Sequence, residues 1–311
     1  MGSRVICIVG PTASGKSEIA DIVAETLDSA VVSVDAMQVY RGMDIGTAKV
    51  PVAERRVPLL MVDVCDPSDD YSVELFQTDA RNCVDALFSN GRTPVLCGGT
   101  GLYLDAVIDE MEFPAGAVGN ATRSRYEAIA AEKGVEVLYA SLKERDPKSA
   151  ELIHPNNVRR VVRALELLDE GTSYASKHGG LKTRAPHYAS DIFALTMNRE
   201  RLYRRIDARV DIMFESGLVN EVETLMSRGI ELSLTASQAI GYSECIAYLQ
   251  GRIKLDDAID STKARTRRYA KRQLSWIKRD GRANALDMDV LSAEEAASIV
   301  LRDAWTIGQD R

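Results

Sequence analysis

The stretch GPTASGKS, residues 10–17, constrains the fold of this chain more than any other part of the sequence. It fits the spacing G-x-x-x-x-G-K-[ST] of a phosphate-binding loop, called the P-loop below, whose glycines let the backbone amides turn toward phosphate oxygens. Such a loop joins a buried strand to the start of a helix. The apolar run 5–9 precedes it, and residues 15–28, with apolar side chains at helical spacing, follow it. The sequence therefore predicts an α/β core that binds a phosphate group.

Strand-like and helix-like segments alternate along the first part of the chain. Residues 30–34 and 57–64 are apolar enough to be buried strands, and residues 74–88 have helical spacing. A further apolar run, 191–197, predicts another strand, and everything from Arg199 onward is predicted to be helical. This alternation predicts the fold class α/β, with a parallel sheet flanked by helices as in P-loop NTPases.

The character of the sequence changes after Phe113, and this change predicts the domain organisation. Residues 1–113 form the first part of the core. Residues 187–311 form its remainder and the C-terminal helices, including a basic helix at 263–279. Between these parts, residues 114–186 are charged and mostly helical in pattern. We predict that this segment is an all-α insertion domain.

Charge and cysteine content limit the classes of function. The chain has 311 residues and a net charge of −7, so a nucleic-acid partner would need a local basic patch. Its five cysteines lack CxxC spacing and it has three histidines, which argues against a zinc site. No apolar run reaches the length of a membrane helix, and the N-terminal residues lack a signal-peptide pattern. We predict a cytoplasmic protein without a membrane partner.

Two segments that follow predicted strands supply candidate catalytic groups. Asp35 follows the second strand, at the edge where open α/β sheets bind ligands, and its carboxylate could accept a proton from an attacking nucleophile. The alternative role for Asp35 is a helix cap or a turn residue. In CGGTGLY, residues 97–103, Thr100 could direct its hydroxyl into the site while the glycines let the backbone approach a ligand. LLMVD, residues 59–63, is interpreted as core followed by a turn.

A strongly basic stretch contrasts with the acidic chain as a whole. Residues 263–282 contain nine Lys or Arg and one acid, Asp280. On a helical wheel an apolar side separates from a basic side that includes Arg268 and Arg272. A second basic group lies at 159–163, in the predicted insertion. These clusters favour a nucleic-acid partner, although a solvated helix face paired with acids would give a similar pattern.

Several segments, taken in chain order, point to one family. They read GPTASGKS, SVDAMQVYRGMDIGTAK, GGTGLY, IHPNNVRRVVRALE, RERLYRRIDARVDIM, QAIGYSE and RRYAKRQLSWIKR. Together they resemble the tRNA dimethylallyltransferases, also called tRNA isopentenyltransferases or IPP transferases. The resemblance implies transfer of the five-carbon group of dimethylallyl diphosphate to the exocyclic amine of an adenine. That adenine lies just 3′ of the anticodon in tRNAs that read codons starting with U. The P-loop would then hold a diphosphate that leaves.

The resemblance also implies roles for individual residues. Asp35 would take the proton of the adenine amine, with Lys16 and Thr100 as the other catalytic residues. The diphosphate would be bound by Gly10, Pro11, Thr12, Ala13, Ser14, Gly15, Lys16, Ser17 and Arg209. Ser17 would coordinate Mg²⁺, the expected cofactor, and Arg209 is preferred to Arg205. Contacts to tRNA would come from Asp35, Ala36, Met37, Gln38, Thr100, Arg123, Arg159, Arg160, Val161, Val162, Arg163, Arg268 and Arg272. The insertion would grip the anticodon stem-loop.

Two places depart from the family pattern. Ala36 stands where the family usually has Ser, and Leu59 and Leu60 stand where it usually has two histidines. Neither change removes a residue that the predicted chemistry needs.

Other functions stay open at this point. An adenylate isopentenyltransferase shares the P-loop but prenylates a free nucleotide, so it would not need the basic clusters. A P-loop small-molecule kinase would bind ATP and release ADP. A non-catalytic RNA-binding module would need neither the P-loop nor Asp35. For the tRNA-modifying enzyme, we expect the chain to act as a monomer.

Overall fold

The structure is a computed structural model that describes residues 4–113, 121–176, 185–227 and 233–306. It divides into two compact units. The first, called the sheet unit, comprises Met1–Asp69, Leu75–Ile108 and Pro186–Arg311. The second, called the helical unit, comprises Asp70–Glu74 and Asp109–Ala185. The helical unit thus covers the predicted insertion at 114–186 apart from its last residue, and it includes residues that the sequence assigned to the core.

A six-stranded sheet lies at the centre of the sheet unit, and each of its neighbouring strand pairs is parallel. The strands are β1 (Arg4–Val9), β2 (Val31–Val34), β3 (Leu59–Leu60), β4 (Val95–Gly98), β5 (Ala189–Thr196) and β6 (Ala283–Asp287). Their order across the sheet is β3-β2-β4-β1-β5-β6. Every residue of β2 and β4 is buried, as expected for parallel strands covered on both faces. The predicted fold class is confirmed.

Helices make up most of the rest of the described chain. The helical unit contains α4 (Ala121–Lys133), α5 (Val135–Arg145), α6 (Pro147–Leu152) and α7 (Val158–Asp169). The other helices are α1 (Lys16–Thr26), α2 (Val73–Ser89), α3 (Gly101–Ile108), α8 (Arg199–Glu215), α9 (Leu218–Ser227), α10 (Leu234–Ser237), α11 (Tyr242–Leu249), α12 (Leu255–Ile277) and α13 (Ala293–Thr306). A core cluster joins α1 and α13 to β1 and β5, with Ile8, Ile19, Phe193 and Val300 fully buried.

Two predicted elements differ from the structure. The third strand is limited to Leu59–Leu60, because Met61 and Asp63 adopt φ values of 60° and 56°, which are not extended conformations. The region after Arg199 is not entirely helical, since it contains β6. That strand reads ANALD and three of its five positions are exposed. An edge strand of this kind lacks the unbroken apolar run by which the buried strands are recognised.

The helical unit has a core of its own. Leu138, Leu142, Val161 and Leu165 are almost completely buried in it, and so is Val162. Val161 and Val162 were predicted to contact tRNA. Their side chains instead fill this core, because they lie on the apolar face of an amphipathic helix, α7. The prediction that the side chains of Val161 and Val162 contact tRNA is therefore wrong.

The sheet topology determines which loops meet. Strands β2, β4 and β1 are consecutive in the sheet and all parallel. The loops after their carboxyl ends therefore lie side by side, as is typical for ligand sites of open α/β sheets. These loops contain the P-loop, Asp35 and Thr100. Within the described ranges, no helix combines the length and the apolar character that crossing a membrane requires.

Candidate active site

The P-loop turns tightly between β1 and α1. Ala13 and Gly15 have φ values of 63° and 99°, and the amide of Ser14 donates to the carbonyl of Pro11 over 3.3 Å. A Cβ on Gly10 would lie 2.8 Å from Ser14 Oγ, so a larger residue there would displace the loop. The loop ends at the N-terminus of α1, where unpaired amides and the helix dipole favour an anion.

Lys16 is the first residue of α1 and has a perturbed pKa. Its Nζ donates to the carbonyl of Pro11 over 2.8 Å. Burial lowers its pKa from 10.5 to about 8; Cys97 opposes this shift, Arg209 adds to it and Asp35 opposes it. An anion bound in the P-loop would stabilise the charged ammonium and raise the pKa again.

Two arginines one helical turn apart on α8 line the same cleft as the P-loop. Arg205 Nε donates to the carbonyl of Ala13 over 2.8 Å. The pKa of Arg209 is lowered, chiefly by burial, while Asp35 raises it. The cleft measures about 430 Å³, within the range of small-ligand pockets. The preference for Arg209 over Arg205 stays a prediction, because both residues line the cleft.

Asp35 directly follows β2 and is partly buried. Its Oδ1 accepts a hydrogen bond from the amide of Met37 over 2.8 Å. Within the described part of the chain, Oδ2 has no hydrogen-bond donor. One oxygen therefore shapes a turn, which was the alternative role, while the other can meet a ligand. The charge of Asp35 acts on both Lys16 and Arg209.

The residues after Asp35 form a loop with its own hydrogen bonds. The amide of Ala36 donates to Thr100 Oγ1 over 3.3 Å, which joins this loop to the one after β4. Gln38 Oε1 accepts from Ser33 Oγ over 2.7 Å, and its Nε2 donates to the carbonyl of Thr47 over 3.1 Å. The carboxamide of Gln38 thus supports the loop, and its predicted contact with tRNA stays a prediction.

A buried lysine, which the sequence analysis did not single out, anchors this loop. Lys49 has a side chain only 3% exposed, and its Nζ lies 2.9 Å from Asp44 Oδ1 and 2.6 Å from Asp63 Oδ1. It also donates to the carbonyl of Tyr40 over 2.5 Å. Asp63 is the last residue of LLMVD, so that segment supports the loop structurally, in agreement with its interpretation as core and a turn.

Two glycines of the CGGTGLY segment, Gly99 and Gly101, make room for a helix, and the predicted approach of this turn to a ligand stays a prediction. A Cβ on Gly101 would lie 2.1 Å from the indole ring of Trp276, and one on Gly99 would lie 2.1 Å from Gln273 Nε2. Both of these neighbours belong to α12. The absence of side chains at Gly99 and Gly101 therefore allows α12 to approach the edge of the sheet.

Two residues of α12 enter the site without having been predicted. Tyr269 Oη lies 3.4 Å from Thr100 Oγ1, and Gln273 bonds to backbone atoms of both the P-loop and the turn at Gly99. A signal for Gln273 was present in the sequence. It lies three residues after Ala270 and four before Ile277, so it is a polar residue on the apolar face of the helix.

The basic surface of α12 is smaller than the sequence predicts. Three of its cations pair with acids on α8 and α11: Lys263 with Asp211, Arg265 with Glu244, and Arg267 with Asp207. The acids were missed because they are distant in sequence. Arg268 and Arg272, both predicted to contact tRNA, are exposed, and the Arg272 guanidinium lies 5.5 Å from the ring centre of Tyr269.

In the helical unit, two predicted tRNA contacts surround a buried acid. Glu166 is 0% exposed, with Arg123 Nε at 3.6 Å and Arg163 Nη1 at 3.5 Å from its Oε2. These arginines therefore neutralise a buried carboxylate, a role that sequence reasoning missed. Arg159 and Arg160 are exposed on the same helix. The predicted tRNA contacts of these four arginines stay predictions.

The site fits a magnesium ion only if the substrate supplies most of the ligands. Among residues 4–113, 121–176, 185–227 and 233–306, no group of three His, Cys, Asp or Glu side chains could hold a metal. The Ser17 side chain is exposed at the start of α1, and Ser14 Oγ is buried in the loop without a hydrogen bond. Mg²⁺ commonly combines one or two protein oxygens with phosphate oxygens and waters, and this donor set matches that pattern.

Comparison with known proteins agrees with this arrangement. A family model described as IPP transferase matches residues 38–280. A tRNA dimethylallyltransferase of Carboxydothermus hydrogenoformans is 42% identical over 308 residues, which cover 98% of this chain and 98% of that protein. One from Nocardia farcinica is 44% identical over 284 residues, covering 91% of this chain and 90% of that protein.

Solved structures give the same picture. The crystal structure of a tRNA isopentenylpyrophosphate transferase from Bacillus halodurans aligns with a TM-score of 0.72 at 40% identity, covering 99% of this chain and 97% of that one. A eukaryotic dimethylallyltransferase acting on tRNA aligns with a TM-score of 0.78 at 28% identity, covering 98% of this chain and 80% of that one.

Proposed function

Because this chain belongs to the IPP transferase family, we propose that its P-loop holds a diphosphate that leaves the substrate. It would not hold a triphosphate that donates a phosphoryl group. The chain is a tRNA dimethylallyltransferase. Its substrates would be dimethylallyl diphosphate and the adenine just 3′ of the anticodon, in tRNAs that read codons starting with U. The single observation that carries this assignment is geometric: the P-loop, which lines a cleft together with Arg209, and the carboxylate of Asp35 follow parallel strands of one sheet and lie at the same edge of it.

The proposed reaction is a substitution at the first carbon of the dimethylallyl group. The exocyclic nitrogen of the adenine forms a bond to that carbon while the carbon–oxygen bond to the diphosphate breaks. The diphosphate leaves with the bonding electron pair. The amine loses one proton, and Asp35 Oδ2 accepts it, since Oδ1 already accepts the amide of Met37.

Charge on the leaving group would be stabilised by groups from two helices that line the cleft. Lys16 and the first amides belong to α1, and Arg209 belongs to α8. Positive groups placed where negative charge develops lower the barrier more than groups that bind the substrate and the transition state equally. Mg²⁺, held by Ser17 and diphosphate oxygens, would supply further charge neutralisation when bound. Thr100 would contact the leaving group or the adenine.

Binding of tRNA would use basic residues in both units. On the sheet unit these are the exposed Arg268 and Arg272, and on the helical unit Arg159 and Arg160. We assign the helical unit to the anticodon stem-loop. The target adenine would have to leave its stack to reach a partly buried carboxylate, as in other enzymes that modify bases.

A free adenine nucleotide is the second candidate acceptor. The shared P-loop and Asp35 would serve it equally well. The exposed cations of α12 favour tRNA, because a mononucleotide offers too few phosphates to engage them.

The test is an incubation of the protein with Mg²⁺, labelled dimethylallyl diphosphate and tRNA from cells that lack this modification. AMP and ATP serve as parallel acceptors. We expect label in tRNA alone. Label in AMP would move the chain to the free-nucleotide enzymes, and ATP hydrolysis without label transfer would indicate a kinase or NTPase.

We also propose that the chain works as a cytoplasmic monomer. The P-loop residues and the arginines of α8 that line the cleft belong to one chain, which supports a monomer. Light scattering should then give a mass close to 34.1 kDa. A dimer mass at working concentration would contradict this.

A further inference from the structure

A single side chain from α12 joins two loops of the site. Gln273 is 5% exposed. Its Oε1 accepts from the amide of Thr12, in the P-loop, over 2.8 Å. Its Nε2 donates to the carbonyl of Gly99, in the turn before Thr100, over 3.0 Å. The two loops follow β1 and β4, which are neighbours in the sheet.

The chemistry of this contact requires a carboxamide. One loop offers a donor and the other an acceptor, and glutamine matches both with a single planar group. An apolar residue would pack equally well on this face, between Ala270 and Ile277, but would leave two backbone groups unpaired. A buried glutamine is unfavourable unless it is fully hydrogen-bonded. Its presence here therefore indicates that the bridge, meaning the two hydrogen bonds of Gln273 to Thr12 and Gly99, is needed.

The bridge connects the two halves of the proposed reaction. On one side lies the P-loop, which would bind the diphosphate. On the other lies Thr100, whose Oγ1 accepts the amide of Ala36, next to Asp35. The separation of these loops decides how far the bound diphosphate lies from the proton acceptor. Misplacement by about 1 Å can cost on the order of 100-fold in rate.

We propose that Gln273 is a positioning residue for dimethylallyl transfer, which holds the P-loop and the Thr100 turn at the separation that the reaction needs. This inference rests on the proposed function. It differs from a role in tRNA binding, because Gln273 faces the sheet unit's own loops while the exposed cations of α12 face solvent. A role in folding alone would lower stability but leave the turnover of the folded enzyme unchanged, whereas a positioning role lowers turnover in the folded enzyme.

The test compares Gln273→Met with the wild type. Methionine keeps the length and volume of the side chain but neither donates nor accepts as an amide does. We expect kcat to fall about 10- to 100-fold and KM for dimethylallyl diphosphate to rise, with the dissociation constant for tRNA within about twofold of the wild type. Gln250→Met makes the same chemical change at an exposed helix end and should retain full activity.

A second variant covers the case in which Gln273→Met fails to fold. Gln273→Glu keeps the acceptor for Thr12, but its ionised carboxylate cannot donate to Gly99, so at a pH where the carboxylate is ionised it should also lose at least about 10-fold in kcat/KM. Wild-type turnover in either folded variant would overturn the inference. So would a loss of tRNA affinity that matches the loss of activity. If the wild type itself transfers no label to tRNA, the proposed function fails instead, and the two failures are thereby distinguished.

Discussion

The lowered pKa of Lys16 predicts that diphosphate affinity falls as the pH rises through about 8. Only the protonated ammonium can neutralise a phosphate oxygen. With a pKa of about 8, Lys16 is about 75% charged at pH 7.5 and about 3% charged at pH 9.5, so affinity should drop roughly 20-fold. A lysine with the ordinary pKa of 10.5 would lose only about a tenth of its charge over the same range.

Diphosphate affinity falls as the pH rises because burial lowers the pKa of Lys16. Burial penalises the charged form, so below pH 8 the charged Lys16 destabilises the folded protein, and this penalty is relieved as the lysine deprotonates. A bound diphosphate offsets that penalty and raises the pKa. Binding should therefore take up about half a proton at pH 8 and close to one proton at pH 9.5. Cys97 and Tyr269, with pKa values of about 12, stay neutral in this range.

The assay is calorimetric titration with a thio-linked, unreactive analogue of dimethylallyl diphosphate, at constant Mg²⁺ between pH 7.5 and 9.5. The terminal phosphate ionises near pH 6, so the charge of the ligand is almost constant. Two buffers of different ionisation enthalpy report the proton uptake. Lys16→Arg, which stays charged throughout, is the matched control and should remove the slope. A wild-type affinity that is flat to pH 9.5, or that keeps the same slope in Lys16→Arg, would refute the reasoning.

Three further predictions concern the base, a close contact and the tRNA surface. Asp35→Asn should lower kcat about 10²- to 10⁴-fold in the transfer assay, with tRNA affinity in a gel-shift titration little changed. Gly101→Ala should lower the free energy of unfolding in urea by about 1–3 kcal/mol, because its Cβ would lie 2.1 Å from an indole ring; Gly281→Ala, with open space around it, should change it by less than about 0.5 kcal/mol. Arg268→Gln should weaken tRNA binding and reduce its salt slope by about 1, whereas Arg267→Gln, whose cation is already paired with an acid, should change the slope less.

Each of these predictions can fail in a specific way. Full turnover of Asp35→Asn would remove Asp35 as the proton acceptor. Equal stability losses in Gly101→Ala and Gly281→Ala would mean that the close approach of α12 is not the reason why position 101 requires glycine. Equal salt slopes for Arg268→Gln and Arg267→Gln would mean that exposure on α12 does not identify the cations that meet tRNA.

Local patterns in the sequence were sufficient to predict the central strands of the sheet and the P-loop. The P-loop spacing, the apolar strands and the position of Asp35 after β2 all depend on neighbouring residues. Parallel strands buried on both faces leave unbroken apolar runs, so β1, β2 and β4 could be recognised directly. Their parallel order then brings the three loops to one edge of the sheet.

Apolar patterns in the sequence were insufficient to predict strands that are only partly buried. Strand β6 is an edge strand with exposed positions, so its sequence is not distinguished from that of a loop. The strand at Leu59–Leu60 ends early because the next residues adopt positive φ, which apolar composition does not reveal. The family motif at 159–163 included Val161 and Val162, although amphipathic spacing alone would have assigned both to the core.

The sequence by itself determined the sheet, its P-loop and the carboxylate at its edge, because each is encoded within one segment. Only the tertiary structure decided what α12 does. It places Gln273 between two loops, brings Trp276 against Gly101, and neutralises Arg267 through an acid on α8. These contacts join residues that are far apart in the chain. Helical spacing indicates which side chains share a face, but the partner of that face is decided only when the chain packs.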